Sequence, residues 1–293
     1  MTVSLIAGQV LSGLTTAMFL FLIASGLSLV FGVMRVLNFA HGSFYMIGAY
    51  LAWQVVSWLQ PMGADFWIAA LAAGAGVAVL GAIVERLLLR HLYGLEELYQ
   101  LLLTYALVLI LGDVAKYTWG TEQLSVHRPP ILDGGVPVLG TTLPLYNLFI
   151  MLVGPAIAIG GGLLLSRSSA GRMLRAAAQD REMLGALGAN VGALYTFMFI
   201  ISSFLAGLAG ALITPIESVV PGMDVQIIVQ AFIVVVIGGL GSFWGTFWGA
   251  VIYGLTLSFG ILAFPEFSLF SVFLLMAVVL IVRPWGLFGR PIR

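Results

Sequence analysis

The longest uncharged stretch of the chain is residues 225–264, which contain no Asp, Glu, Lys or Arg. As one continuous helix this stretch would extend about 60 Å, because an α-helix rises about 1.5 Å per residue. The hydrocarbon core of a bilayer is only about 30 Å thick. The stretch therefore predicts two helices that fold back on each other, with the turn at the glycine-rich residues 238–242 (GGLGS).

Other apolar runs of suitable length occur along the whole chain. Of its 293 residues, 61% are hydrophobic and 8% are charged, whereas soluble domains contain about 25% charged residues. The predicted spans are residues 5–31, 42–59, 66–89, 101–119, 145–165, 191–213 and 267–282, together with the folded-back stretch. The fold class predicted is an all-α polytopic membrane protein with about eight to ten crossings, forming one transmembrane domain over residues 1–293.

Residues 31–50 (FGVMRVLNFAHGSFYMIGAY) interrupt the apolar pattern with polar side chains and glycines. They predict a helix that stops and restarts at Gly42 and Ser43. Irregular backbone at membrane depth is tolerated only where it is buried in protein or lines a wet cavity. A restarting helix would also point free N–H groups towards an anionic group of a substrate. In the alternative, which stays open, the polar residues only satisfy the unpaired backbone of the break.

A similar pattern recurs in the second half of the chain, where residues 241–244 (GSFW) echo residues 42–45 (GSFY). Five predicted crossings separate the two copies, so they would be inverted relative to each other, as in many transporters. Repeat 1 would cover residues 5–166 and repeat 2 residues 191–283. The predicted substrate pathway combines the two breaks: Asn38, His41, Gly42, Ser43, Tyr45, Gly239, Gly241 and Ser242. The i, i+4 spacing of Gly241, Gly245 and Gly249 predicts a helix-packing face.

Between the two repeats, residues 167–190 form a polar segment. Ser168 or Ser169 can cap a helix there, and Gly188 can end it. We expect one amphipathic helix with Met173, Ala177, Leu184 and Leu187 on one face. Such a helix can lie on lipid headgroups or dock into a groove of a soluble partner, and the residues alone leave both possibilities open.

The charged residues indicate orientation and argue against enzymatic chemistry. Arginines cluster at residues 86–90, 167–181 and 283–293, which alternating spans place on one side, so the positive-inside rule predicts a cytoplasmic tail and an outward N-terminus. The chain has no Cys, and no Walker A, HExxH or GxSxG motif, so neither catalytic residues nor a metal site are predicted. Asp113 and Lys116 predict a local ion pair. Because the predicted spans lack acidic residues at their centres, uphill transport would draw its energy from another chain.

Four segments in order resemble one family: residues 38–50 (NFAHGSFYMIGAY), 171–191 (GRMLRAAAQDREMLGALGANV), 234–254 (VVVIGGLGSFWGTFWGAVIYG) and 282–291 (VRPWGLFGRP). They are similar to the permeases of branched-chain amino acid ABC importers, and the resemblance runs nearly end to end. The family commonly has an acidic residue where this chain has Ser43.

The resemblance implies a multi-pass permease subunit of a bacterial inner (cytoplasmic) membrane, with a periplasmic N-terminus and a cytoplasmic C-terminus. Its substrate would be a branched-chain or other hydrophobic amino acid, or else another small solute such as an amide, urea or an aromatic acid. The implied partners are a second homologous permease, two cytoplasmic ATPases and a periplasmic binding protein, with no nucleic acid. No cofactor is expected on this chain, since ATP and Mg would bind the ATPases. The implied residues for ATPase coupling are Arg172, Arg175, Ala178, Asp180, Leu184 and Gly188. A self-contained carrier or channel is the rival interpretation.

Overall fold

The computed structural model describes residues 3–59, 66–138, 140–263 and 265–289. Most of these residues are helical. The helices are α1 (Val3–Met34), α2 (Ala40–Leu59), α3 (Phe66–Leu87), α4 (Glu97–Trp119), α5 (Leu145–Arg167), α6 (Ser169–Gln179), α7 (Arg181–Ala186), α8 (Val191–Ile213), α9 (Met223–Gly238), α10 (Phe243–Ala263) and α11 (Ser268–Val282). A two-stranded antiparallel hairpin, β1 (Gly135–Val138) and β2 (Thr141–Pro144), precedes α5.

The helix bounds agree with the predicted spans to within a few residues, and α8 matches its predicted range at both ends. Within the described ranges, seven helices are long and apolar enough to cross a membrane. Helix α2, with 20 residues, and the 16-residue α9 bring the number of long helices among the described residues to nine, within the predicted range of eight to ten crossings. The all-α polytopic fold is therefore confirmed. Residues 225–264 divide as predicted, because α9 ends at Gly238 and α10 begins at Phe243.

The helices group into two compact units. One unit comprises Met1–Ser28, Arg128–Gly162 and Gln230–Arg293, and the other comprises Leu29–His127 and Leu163–Val229. The first predicted break lies in the second of these units, and the turn between α9 and α10 lies in the first. The units do not coincide with the two predicted repeats, and the inverted repeat stays a prediction.

In the unit that contains the first break, α2 packs closely against α3 and α8. Small residues permit the close approach: Gly48 lies against the backbone of Gly207, and Gly207 in turn lies against Val77. Every residue of α2 from Ala40 to Tyr50 is buried. The break is therefore followed by a deeply buried helix and not by a surface loop.

In the other unit, α10 contacts both the first part of α1 and α5. Gly13 of α1 lies against the backbone of Gly254, and the ring of Phe21 meets Phe243 edge-on at 5.6 Å between centroids. Gly161 of α5 lies beneath the Phe243 ring. The backbones of α1 and α10 thus approach closely at Gly13 and Gly254, and the Phe243 ring packs against both Phe21 and Gly161.

Candidate functional site

The first break joins α1 to α2 through residues 35–39. Helix α1 ends at Met34, and Arg35 adopts a left-handed φ of 54°, which is costly for a residue with a Cβ. Its N–H still donates to the carbonyl of Phe31 at 3.0 Å. The predicted interruption is confirmed, but α2 begins at Ala40 rather than at Gly42. His41, Gly42 and Ser43 consequently belong to the first turn of α2.

That first turn lies directly against the first turn of α9. A Cβ on Gly42 would lie 2.5 Å from the carbonyl oxygen of Asp224 and 2.9 Å from the Cβ of Ile228, so the contact requires glycine. The neighbouring Ser43 donates a hydrogen bond from Oγ to Oδ2 of Asp224 at 2.7 Å. Both side chains are buried, with exposed fractions of 0% for Ser43 and 3% for Asp224. The break is thus connected to an acidic residue that the sequence did not single out.

The surroundings of the break are polar and buried. Asn38, His41 and Tyr45 are all almost fully enclosed. Among the described residues, neither Oδ1 of Asn38 nor the hydroxyl of Tyr50 has a hydrogen-bond partner. A buried polar atom left unpaired typically costs about 1–3 kcal/mol. The region around the first break therefore retains hydrogen-bonding capacity that the protein itself does not use.

The second break is built differently. Gly239 and Gly241 have φ values of 108° and 78°, and Ser242 caps α10 by accepting the N–H of Gly245 at 3.1 Å. The carbonyls of Ile237 and Gly238 accept N–H groups from the C-terminal tail, from Leu287 and Phe288, each at 3.0 Å. Several backbone N–H and C=O groups left unpaired by the helix ends at this turn therefore form hydrogen bonds within the chain. A role of Gly239, Gly241 and Ser242 in a substrate pathway stays a prediction.

The predicted glycine face is partly confirmed. Gly245 and Gly249 of α10 lie against the backbone of Gly238 and Val234 in α9, so this face packs within the chain. Including Gly241 in the face was wrong, because Gly241 precedes α10 and forms part of the turn. Its positive φ is the physical reason, since such a conformation ends a helical repeat.

The polar segment between α5 and α8 forms two helices, not the single helix predicted. Helix α6 ends at Gln179 and α7 begins at Arg181, with Asp180 extended between them. The Asp180 carboxylate accepts the N–H groups of Glu182 and Met183 at 3.0 and 2.9 Å, and therefore caps α7. The predicted cap at Ser168 is confirmed, since its Oγ accepts the N–H of Gly171 at 2.8 Å. Gly188 follows the end of α7 with a φ of 86°.

The predicted apolar face of this segment is also corrected. Leu174, Ala177 and Leu184 are buried together against α8. Met173 and Leu187, which we expected on the same face, are 41% and 78% exposed. Leu187 follows the last residue of α7, beyond the division at Asp180, so the helical period does not continue to it. Met173 precedes that division, and in α6 its neighbour Leu174 occupies the buried face instead.

Two of the arginines implied in coupling bind to the chain itself. Arg172 donates to the carbonyl of Arg167 at 3.2 Å, and Arg175 donates to the carbonyl of Leu165. These carbonyls belong to the last turn of α5, where helices lack internal donors and favour cations. Arg172 and Arg175 therefore hold α6 to the end of α5. Ala178 lies in α6 beside the buried Ala177 and is partly exposed.

A cleft of about 400 Å³ lies between the first break and the start of α7. Arg35 forms one wall, Glu97 and Gln100 of α4 form another, and Asp180 and Glu182 border the opposite side. The same unit thus brings the predicted coupling segment and the predicted helix break to a shared cavity. The sequence did not predict this proximity.

A second buried acid, Glu85 near the end of α3, was also missed. Its two oxygens accept hydrogen bonds from the Tyr93 hydroxyl at 2.6 Å and from Thr196 Oγ1 at 2.7 Å. Burial, followed by this hydrogen bond to Glu85, raises the pKa of Tyr93 well above its ordinary value. In sequence Glu85 precedes Arg86 and looks like part of a charged helix end. Within the described ranges no cluster of three or more His, Asp or Glu residues could hold a metal ion.

Comparison with known proteins covers almost the whole chain. Residues 9–282 match the family model described as branched-chain amino acid transport system / permease component. The chain belongs to this permease family. It is 31% identical to the high-affinity branched-chain amino acid transport system permease protein BraD of Pseudomonas aeruginosa, over 97% of this chain and 95% of BraD.

Two further permease proteins are also similar to this chain, at lower identity. The permease protein LivH of Escherichia coli is 29% identical, over 97% of this chain and 95% of LivH. The permease protein LivM of the same organism is 27% identical, over 93% of this chain and 68% of LivM. The family resemblance seen in the four sequence segments is thereby confirmed over the full length of the domain.

Proposed function

We propose that this chain is the permease subunit of an ATP-driven importer for branched-chain or other hydrophobic amino acids, working by alternating access. Its similarity to BraD and LivH along nearly the whole length supports the substrate class. The mechanism rests on one observation, the cleft shared by Arg35 at the first break and Asp180 at the start of α7. A displacement of α7 would act directly on the helix break through this cleft.

Helix α7 has the properties of a docking element. Met183 of α7 and Leu187, which directly follows its last residue, are 61% and 78% exposed, while Leu184 is buried against α8 and holds the element in place. Exposed apolar side chains on a short helix suit insertion into a groove of a partner. We assign this partner as a cytoplasmic ATPase, and two such subunits would serve an importer that carries two permeases.

The remaining partners follow from the same proposal. LivM is itself a permease protein and is similar to this chain over most of its length, which supports pairing with a homologous permease. A periplasmic binding protein would deliver the amino acid from the outer side. By the positive-inside rule, the arginine-rich loop with α6 and α7 would face the cytoplasmic side of a bacterial inner membrane. The N-terminus would then lie in the periplasm.

The docking proposal is tested with Met183→Asp and Leu187→Asp in the affinity-tagged permease. A carboxylate in an apolar groove is strongly unfavourable, so we expect loss of the ATPase subunits from the purified complex and loss of uptake, with normal membrane insertion. Mass spectrometry of the co-purified chains measures the first effect.

The matched control is Ile131→Asp, because Ile131 is 76% exposed but lies in the loop before β1. This variant should retain the ATPases. Retention of ATPases and uptake in both α7 variants would contradict the docking site. Solute transport by the wild-type chain reconstituted alone would instead favour a self-contained carrier.

A further inference from the structure

Asp224 carries a buried carboxylate that the protein only partly satisfies. Ser43 donates one hydrogen bond to Oδ2, and no Lys or Arg side chain pairs with Asp224 in the described part of the chain. Asp224 as a whole is only 3% exposed to solvent. An ionised carboxylate removed from water is costly unless a cation compensates it. In apolar helices such a group commonly belongs to a binding site or a pathway.

A second polar group nearby also lacks a partner. The Tyr50 hydroxyl is buried and makes no hydrogen bond to the described residues, and Tyr50 lies two turns after Ser43 on the same face of α2. The Tyr50 ring stacks on Trp119, with 4.9 Å between centroids and an interplanar angle of 21°. A positively charged hydrogen-bond donor would satisfy both the Asp224 carboxylate and the Tyr50 hydroxyl. An ammonium has three N–H donors and is also attracted to aromatic faces.

We propose that Asp224 binds the ammonium group of the transported solute, with Ser43 orienting the carboxylate. This inference deepens the proposed function and rests on it. The ligand class is a small primary ammonium with an apolar side chain. Oδ1, which accepts no hydrogen bond from the described residues, is the oxygen that would accept an N–H of the ligand, while Ser43 keeps its bond to Oδ2.

The site is closed in the present conformation. The backbone at Gly42 lies against the carbonyl of Asp224, so no space remains between the first turns of α2 and α9. Entry of the ammonium therefore requires these two turns to move apart at the contact between Gly42 and Asp224. Substrate binding is thereby linked to movement at the same break that borders the cytoplasmic cleft.

The test measures ligand binding to the purified, detergent-solubilised importer with three probes. Leucine carries both charged groups, 3-methylbutylamine carries only the ammonium, and 4-methylpentanoate carries only the carboxylate. We expect leucine and the amine to bind to the wild-type permease and the acid to bind far more weakly. Asp224→Asn should weaken leucine and amine binding at least about 30-fold, the range for removing one partner of a buried charged pair.

Three variants serve as controls for a merely structural role. Asp113→Asn removes an exposed carboxylate, 80% accessible, and should leave all three affinities unchanged. Ser43→Ala removes only the orienting hydrogen bond and should cause a smaller loss, while Asp224→Glu should restore part of the amine binding. If Asp224→Asn lowers the melting temperature but leaves the preference for amine over acid intact, the proposal is overturned.

The same experiment separates this inference from the proposed function. Uptake of leucine by the wild-type importer in vesicles tests the function, and its absence would overturn that function alone. The amine-binding comparison does not depend on uptake and still decides the role of Asp224. Wild-type uptake combined with unchanged amine affinity in Asp224→Asn would overturn the ammonium site and leave the importer intact.

Discussion

Individual glycines determine how closely the helices approach. Gly48 faces Gly207, Gly81 faces Ser203, and Gly245 lies against α9. Each of these contacts brings a backbone to a position where a Cβ would overlap another atom. Because lipid tails provide no hydrophobic drive between helices, this close packing supplies much of the association energy in a membrane. These three glycines are therefore structural.

Gly42→Ala tests the closest contact at the first break. The new methyl group would meet backbone atoms of Asp224, which cannot move aside as a side chain can. We expect a lower melting temperature in detergent, equivalent to about 1–3 kcal/mol of overpacking, and reduced uptake.

Gly160→Ala is the matched control, because Gly160 is exposed in α5 and has no atom within 4 Å of an added Cβ. Alanine there should leave the melting temperature unchanged or raise it, since alanine favours helix by about 1 kcal/mol. Equal effects of both variants would contradict the packing argument. Gly74 is unsuitable as a control, because a Cβ there would lie 2.9 Å from the Phe204 ring.

At the scale of elements, side-chain caps help to determine where several helices begin. Ser168, Asp180, Asn190 and Ser242 each accept N–H groups of the helix that follows. Sequence patterns located the long helices well, because apolar length is a local property. They missed the division at Asp180, since an Asp between two helical stretches reads equally well as a polar helix position. Its extended backbone shows that the capping bonds outweighed helix continuity.

Asp180→Ala tests this cap and Asp180→Asn separates capping from charge. Alanine removes both hydrogen bonds to α7, whereas asparagine caps helices about as well as aspartate. We expect faster amide hydrogen exchange in α7 for the alanine variant, corresponding to about 1 kcal/mol, and near-normal exchange for the asparagine variant. Loss of protection in both variants alike would indicate that the negative charge, not the cap, is required.

At the scale of the whole molecule, the charge distribution determines orientation. Ser125 lies in the loop after α4, and Ser169 begins α6 in the arginine-rich segment; both are exposed. Because the chain contains no Cys, a single introduced thiol reports its own accessibility.

We expect Ser125→Cys to react with a membrane-impermeant maleimide in intact spheroplasts, and Ser169→Cys to react only after the membrane is permeabilised. The physical reason is the retention of Arg-rich loops in the cytoplasm. The reverse pattern of labelling would invert the proposed orientation and would place α7 on the wrong side for an ATPase.

The sequence by itself determined the class of protein, the positions of the spans and both helix breaks. These properties depend on the free-energy cost of placing charged side chains and unpaired backbone groups in lipid, and that cost depends on the local sequence of each segment. The ion pair of Asp113 and Lys116 could also be predicted from the sequence, because residues three apart on a helix lie on the same face. The distance between Lys116 Nζ and Asp113 Oδ1 is 3.2 Å.

Only the tertiary structure decided which polar residues are buried together. Ser43 and Asp224 are separated by 181 residues, and Glu85 and Thr196 by 111. In sequence Asp224 stands in the first turn of a helix, where acidic residues are favourable, and Glu85 precedes Arg86 near a helix end, so neither looks buried. Their burial depends on which distant helix packs over them, and no local pattern contains that information.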